Sequence, residues 1–299
     1  MNTKTGPLYA FLAYGSWGLL PIYWKFFSSV SPIEVLSHRM IWSLVFLGLI
    51  LTLQKRLSEL RKLPLRQVIG LLATALLLSI NWGLYIYGVN TDRVVETSLG
   101  YFINPLVSVL LGFIVLRERL YRGQQIAVVL ASIGVGYFIW QFGAVPWIAL
   151  FLAGTFALYG LLRKMVAVSP MVGLAVETAL MTPVGLLMIF YWSATGTGSF
   201  GSSPGLTLLF IGAGVATSMP LLWFNNAAKR LSLATLGFCQ YMAPSIQLIL
   251  GVFLYREPFT QTHLISFSLI WTALVIYSYT SLIRSKTVAP KLQQQSVGD

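Results

Sequence analysis

The chain has 299 residues, 57% of them hydrophobic and only 9% charged, with a mean hydropathy of +0.77 and a formal net charge of +12. Soluble domains carry roughly 25% charged residues, so no soluble fold can bury this much apolar surface and lipid must be the main solvent. The single cysteine, Cys239, excludes an internal disulfide and a thiolate metal cluster.

Ten apolar runs of about the length that crosses a bilayer follow one another at 8–27, 33–53, 67–89, 94–116, 123–141, 146–162, 171–192, 205–228, 233–254 and 263–283. They are continuous rather than alternating every second residue, which predicts helices and not barrel strands. The first carries Tyr14 and Trp17 and ends at Lys25, which snorkels to the outer surface. Its apolar stretch is longer than a signal-peptide core and no small-x-small cleavage site follows, so it reads as a helix of the mature protein. The second opens with Glu34, His38 and Arg39; Glu34 and His38, four apart, share a face and can pair. The third offers Asn81 and Tyr85, and the fourth Glu96, Tyr101, Asn104 and Pro105. Small residues in the fifth (Ala131, Gly134, Gly136) and eighth (Gly212, Ala213, Gly214) suit close packing. Tyr159 lies in the sixth, Glu177 in the seventh, Trp223 in the eighth, and Gln240, Tyr241 and Pro244 in the ninth; His263 opens the tenth. The connections are too short for a soluble domain, and the tail 284–299 reads as disordered.

The basic residues set the topology. With the N-terminus in the cytoplasm, sixteen of the twenty Lys and Arg fall in cytoplasmic segments, Arg93 and Arg256 fall outside, and Lys25 and Arg39 lie within helices. Such a bias is the positive-inside pattern. It also tests the helix number, because one missed helix would invert every later loop. Both termini are therefore predicted to be cytoplasmic. The net charge of +12 sits at helix ends, so it reports topology rather than a nucleic-acid partner.

The sequence also contains itself. At an offset of 139, Gly15 falls on Gly154, Lys25 on Lys164, Ser79 on Ser218, Pro105 on Pro244, Gly112 on Gly251 and Glu118 on Glu257; at 138, Ser31-Pro32 falls on Ser169-Pro170. The halves are 8–141 and 146–283. Five helices per half is an odd number, so the second half enters from the opposite face. That predicts an all-α membrane protein built as a 5+5 inverted-topology repeat, an arrangement that places a transporter's site between the halves near the midplane.

Trp17-Gly18, the run Glu34-Val35-Leu36-Ser37-His38-Arg39, Asn81-Trp82, Tyr159-Gly160-Leu161-Leu162-Arg163-Lys164, Glu177 and Leu236-Gly237-Phe238-Cys239-Gln240-Tyr241 fit a known pattern. So above all does Glu96-Thr97-Ser98-Leu99-Gly100-Tyr101-Phe102-Ile103-Asn104-Pro105-Leu106. Over roughly residues 8–283 the chain resembles the RarD group of EamA-type transporters, in the drug/metabolite transporter superfamily. The resemblance implies ten helices in a bacterial inner membrane and both termini inside. It also implies a central cavity lined by helices 1, 3, 4, 6, 8 and 9, with helices 2 and 7 outside that lining. Related members export metabolites or drugs. The RarD label is associated with chloramphenicol sensitivity, which does not make chloramphenicol a substrate.

A cavity for a neutral or zwitterionic organic molecule needs flat apolar walls and a few hydrogen-bonding groups. The candidates are Tyr14, Trp17, Asn81, Tyr85, Tyr101, Asn104, Tyr159, Trp223, Gln240 and Tyr241. An amide facing lipid would be unsatisfied, so Asn81, Asn104 and Gln240 should face inward; the alternative is that the amides only join helices and the aromatics form an interfacial belt. Ionisable groups are costly in a bilayer, which singles out Glu34, His38, Arg39 and Glu177 as gating or coupling residues. Glu177 occupies the repeat position of Arg39 at the 138 offset. The alternative is that each satisfies its own neighbours. Pro105 and Pro244 are candidate hinges or static bends, Glu96 an interfacial cap, and Glu118 and Glu257 anchors. No metal or other cofactor is expected. A secondary transporter of small organic molecules, working as an exporter by alternating access, is the leading reading, with the bilayer and a small-molecule substrate as partners. A proton-coupled antiporter and an uncoupled facilitator both suit it, as do monomer and homodimer. An intramembrane enzyme fits less well: there is no His-Glu-x-x-His motif and the only aspartates are Asp92 and Asp299. A channel-like permease would more naturally show a ring-forming polar stripe.

Overall fold

The computed structural model describes residues 5–90, 94–143, 145–254 and 260–295. Arg93, Arg256 and Glu257 lie outside the described residues. Every regular element among the described residues is helical: α1 (Gly6–Trp24) with a 3-10 turn at Lys25–Phe27, α2 (Pro32–Leu53), the short α3 (Ser58–Arg61), α4 (Leu65–Asn90), α5 (Val94–Ile114), α6 (Arg122–Phe142), α7 (Trp147–Met165), α8 (Pro170–Thr195), α9 (Pro204–Ala228), α10 (Leu233–Gln240), α11 (Met242–Ile249) running into a π-helical turn at Leu250–Leu254, and α12 (Gln261–Gln295). Eight stretches are long and apolar enough to cross a membrane: those of α2, α4, α6, α7, α8, α9, the α10–α11 pair and α12. Tyrosine, tryptophan, glycine and proline lower the hydropathy of α1, and only Leu99–Ile114 of α5 counts as an apolar run.

Local chemistry sets the helix ends. Pro32, Pro170 and Pro204 stand in first turns, where a missing N–H costs nothing. The repeated Ser-Pro pair thus opens α2 and α8 alike. Ser203 and Ser232 accept from Leu206 N and Thr235 N (3.2 and 3.1 Å), satisfying donors that a helix start leaves orphaned. Gly143 and Gly196, at φ +76° and +66°, end α6 and α8 in the left-handed conformation.

Helix α1 packs on α9 and α11, α2 on α8 and α9, α4 on α7 and α8, α5 on α7 and α10, and α6 on α12. One apolar core joins Tyr14, Leu47, Leu71, Tyr159, Leu174 and Phe224; a second joins Leu99, Phe102, Phe138, Phe267 and Tyr277. Large apolar side chains such as Leu187, Phe190, Leu208 and Val275 stand outward and exposed, as expected where lipid replaces water around the bundle.

The predicted small-residue stripes do packing work, though not at every position. Ala131 is fully buried, and a Cβ on Gly134 would lie 3.0 Å from Ser266 O on α12. On α9, a Cβ at Gly214 would fall 2.4 Å from the carbonyl carbon of Trp42 and 2.7 Å from Ser43 N on α2. That obstacle is backbone, which cannot rotate away, and Ser43 Oγ donates to Gly214 O (3.1 Å) across the same contact. Gly214→Ala should therefore lower stability by roughly 1–3 kcal/mol through overpacking. Gly136→Ala, whose Cβ would meet nothing within 4 Å, should be neutral or stabilising. Thermal melts of the two variants in one detergent check this; equal melting points would refute the close α2–α9 contact.

Candidate functional site

A cavity of about 520 Å³ opens between α1, α2, α4, α5, α7, α9 and the α10–α11 pair. Its wall holds the predicted Tyr14, Trp17, Asn81, Tyr85, Tyr101, Asn104, Gln240 and Arg39, together with Trp24, Trp82, Phe156 and Thr217. Helix α2 contributes Pro32, Val35, Leu36 and Arg39, whereas the resemblance placed the second helix outside the lining. Tyr159, Trp223 and Tyr241 are not part of this wall, nor are Glu34, His38, Glu177 and Pro105.

The two asparagines hold helices together as they face inward. Asn81 Nδ2 donates to Leu152 O and Thr155 Oγ1 (both 2.9 Å), and Asn104 Nδ2 to Ala153 O (2.9 Å). All three acceptors are on α7, so α4 and α5 are pinned to it beside the cavity. Gln240 makes no side-chain hydrogen bond to the described residues, which leaves its amide available to an occupant. Gln247 Nε2 donates to Trp17 O (3.2 Å). Tyr85 and Tyr101 stand with ring centres 6.4 Å apart.

Arg39 is the cation of the wall. Its Nε donates to Thr217 Oγ1 (2.9 Å), and its guanidinium lies 4.5 Å from the ring centre of Trp24 and 5.0 Å from that of Trp82. Trp24 and Thr217 are not legible as site residues in the sequence, and Trp82 stands there only as part of the Asn81-Trp82 pattern. Trp24 ends a helix and resembles an interfacial anchor, and nothing in sequence brings α9 to α2.

The other ionisable candidates hold different positions. Glu34 Oε1 accepts from Ser199 N (2.6 Å), tying the α8–α9 loop to α2. His38 packs between Phe200 (4.7 Å) and Phe210 (4.4 Å). Glu177 does not meet Arg39. It pairs with Arg163 of α7, Oε1 to Nε at 3.5 Å, and both are sealed from solvent. Thr74 Oγ1 donates to Glu177 Oε1 (2.5 Å), and Tyr159 Oη lies 3.4 Å from Oε2 and 3.3 Å from Asn225 Oδ1. Arg163 Nη2 reaches Pro170 O (3.4 Å), while Nε and Nη1 have no hydrogen-bond partner among the described residues. In the sequence Arg163 stands among the basic residues of a cytoplasmic segment. The missed signal is Gly173: a Cβ there would lie 2.2 Å from Arg163 Nη1, so its absence makes room for the guanidinium.

Between cavity and cluster stands a block of aromatic rings. Trp17 and Phe156 face the cavity with centres 5.8 Å apart, Phe224 lies 5.7 and 5.3 Å behind them, and Tyr159 stacks on Phe224 at 5.8 Å. Below the cluster, Lys164 donates to Leu231 O and Lys229 to Val166 O, so each lysine crosses to the other's helix end. Glu118 Oε1 and Oε2 accept from Leu233 N (2.7 Å) and Ala234 N (3.0 Å) at the start of α10, and Glu96 Oε1 from Ile148 N (2.8 Å) at the start of α7.

Lys229, just beyond the end of α9, is pushed down to about 8 by burial and by the nearby Arg163 cation, from an ordinary value of about 10.4. Both causes favour the neutral amine, so the neutral fraction should grow as pH rises through about 8. Acylation of Lys229 followed by peptide mass spectrometry should reach half its maximal rate near that pH. A half-maximum near 10 would contradict it.

Residues 4–140 match the EamA-like transporter family. The chain is 43% identical to an uncharacterized transporter of Vibrio cholerae, with 94% of each covered, and 42% identical to Protein RarD of Escherichia coli K12, covering 92% of this chain and 94% of that one. One solved crystal structure superposes with a TM-score of 0.71 at 16% identity, over 92% of this chain and 98% of the other; at that identity it shows the fold alone.

Proposed function

Because this chain belongs to the EamA-like transporter family, as a RarD-type protein of the drug/metabolite transporter superfamily, we propose that it is a secondary transporter that exports small organic molecules by alternating access. The observation that carries this reading is the cavity itself: it is built from both halves and closed on one side by the aromatic block and the Arg163–Glu177 cluster. A cavity shared by the two halves and backed by a closed cluster is what alternating access requires of an end state.

The proposed architecture is ten spans in two inverted halves, with α1 and α5 crossing as well. The packing supports it. Exchanging α1, α2, α4, α5 and α6 with α7, α8, α9, α10–α11 and α12 turns the set of principal helix contacts into itself. The repeat partners Trp17 and Phe156, 139 apart, touch each other, as residues beside a pseudo-twofold axis do. With termini in the cytoplasm, the Arg163–Glu177 cluster closes the inner mouth and the cavity faces outward. Arg39 and Glu177 are then the mirrored ionisable positions, Arg39 exposed to the cavity and Glu177 locked in the seal. Inward opening would part Glu177 from Arg163 and release the two lysine crossings.

Flux through the protein in liposomes tests this, with a panel of aromatic and aliphatic metabolites and with and without a pH gradient. Movement of at least one panel member above protein-free liposomes is expected. Flux that collapses with the gradient supports proton coupling, and flux indifferent to it supports facilitated passage. No movement of any member of a panel spanning acids, neutral compounds and bases would count against transport.

A further inference from the structure

Among the described residues the charges around the cavity do not balance. Arg39 projects its guanidinium into the wall, half-buried, held by Thr217 and by the faces of Trp24 and Trp82. None of these partners is anionic. Five carboxylates lie among the described residues, and each is held elsewhere: Glu34 by the α8–α9 loop, Glu59 by Arg56, Glu96 at the start of α7, Glu118 at the start of α10 and Glu177 by Arg163. None of the five lines the cavity. Among the described residues the site therefore presents one cation without a counter-charge at the edge of an apolar aromatic cleft, where a charge is worth more than in water.

We propose that the transported molecule is an organic anion: a flat apolar body carrying a carboxylate, or a group of like charge, that docks on Arg39. This rests on the reading of the cavity as the transport site. The guanidinium is planar and suited to two parallel hydrogen bonds to such a group. Its Nε is committed to Thr217, which fixes its orientation and leaves the Nη atoms for the ligand. The apolar body lies between Trp17, Phe156, Tyr85 and Tyr101, and the free amide of Gln240 supplies a neutral hydrogen bond. A cationic ligand fares worst, since Arg39 repels it and already occupies the faces of Trp24 and Trp82. A zwitterion gains from its carboxylate but finds no described counter-charge in the wall for its ammonium.

Three compounds with one body separate these outcomes: cinnamate, cinnamamide and cinnamylamine, titrated into the full-length protein in lipid nanodiscs at neutral pH. Cinnamate should bind at least ten times more tightly than cinnamamide, with cinnamylamine weakest. Arg39→Gln should bring the acid to within about threefold of the amide, and Arg39→Lys should keep most of the preference while losing some affinity. Cinnamamide binding as tightly as cinnamate to the unaltered protein would overturn the assignment, as would no saturable cinnamate binding, or an acid preference that survives in Arg39→Gln. The first comparison needs no variant, so a poorly folding one does not protect the proposal. Flux of neutral compounds without any preference for acids would overturn the anion assignment and leave transport standing. Failure of every compound to move, charged or not, would instead count against the transport reading.

Discussion

Arg163→Met alone should destabilise the protein by about 3–5 kcal/mol, whereas Arg163→Met combined with Glu177→Met should return it to within about 1 kcal/mol of the original. Both side chains are sealed from solvent. Removing one partner leaves the other charge buried in a low-dielectric interior with no counter-charge; removing both replaces an expensive pair by apolar groups. The pair is not ideal. The Nε–Oε1 separation is 3.5 Å, and Nε and Nη1 lack hydrogen-bond partners among the described residues. A bidentate pair would be difficult to part, and a loosely bonded one suits a seal that must open and close. The double variant should therefore fold yet lose at least tenfold in flux, because the apolar replacement holds the inner side shut without a charge that can re-pair elsewhere. Detergent melts of the two variants, with liposome flux of the double one, check both halves of this. A single variant as stable as the unaltered protein would mean that Glu177 sits in the cluster as the neutral acid and that no ion pair is broken. Glu177→Gln separates that case further, since an amide preserves shape and removes only charge.

In the proposed architecture Arg39 and Glu177, 138 residues apart, hold matched places and are a basic and an acidic residue. Each is contacted from matched elements as well. Arg39 meets Trp24 of α1 and Thr217 of α9; Glu177 meets Arg163 of α7 and Thr74 of α4. Trp24 and Arg163 are themselves 139 apart. Arg39 thus faces a cavity with tryptophan behind it, and Glu177 faces an internal counter-ion.

Much of the helical architecture is legible in the sequence. Continuous apolar runs locate the eight stretches long and apolar enough to cross a membrane, since lipid forbids unpaired backbone and penalises charge. The rule that amides avoid lipid brings Asn81, Asn104 and Gln240 to the interior, where the structure has them in the cavity wall. Other features depend on packing between helices distant in sequence. Arg163 follows Leu162 and precedes Lys164 at the end of a span, which in sequence is a loop charge. Only the Gly173 gap on α8 admits it to the core. The span read at 233–254 is broken into α10, α11 and a π-helical turn, because apolarity reports depth in the membrane and says nothing of hydrogen-bond register. The α1 end is similarly tightened into a 3-10 turn at Lys25–Phe27. The paired prolines were read as equivalent, yet α5 runs unbroken through Pro105 while Pro244 follows a break at Tyr241.

That asymmetry leads to the second large effect. Pro244→Ala should raise the melting temperature and lower flux at least tenfold. Pro244 has no N–H to give Gln240 O, and at the break Tyr241 N instead makes a tight bond to Phe238 O (3.2 Å). An alanine restores the missing donor, allowing α10 and α11 to join as one helix. Pro244 stands in the first turn of α11, where a missing N–H costs little, so the gain should be well below the roughly 3 kcal/mol that proline costs relative to alanine in a helix interior. The same joining turns Gln240 and Ala243, both in the cavity wall, away from their present positions and stiffens the point about which α10 can swing. Stability and transport should therefore move in opposite directions, which a merely destabilising substitution cannot produce. Pro105→Ala is the control: α5 is already continuous there, and its neighbour Asn104 is anchored to Ala153 O, so flux should change less than threefold. Melts and flux measured on both variants decide it. A hinge at Pro244 is refuted if that variant transports normally, or if its loss of flux comes with a lower melting temperature, the mark of simple misfolding.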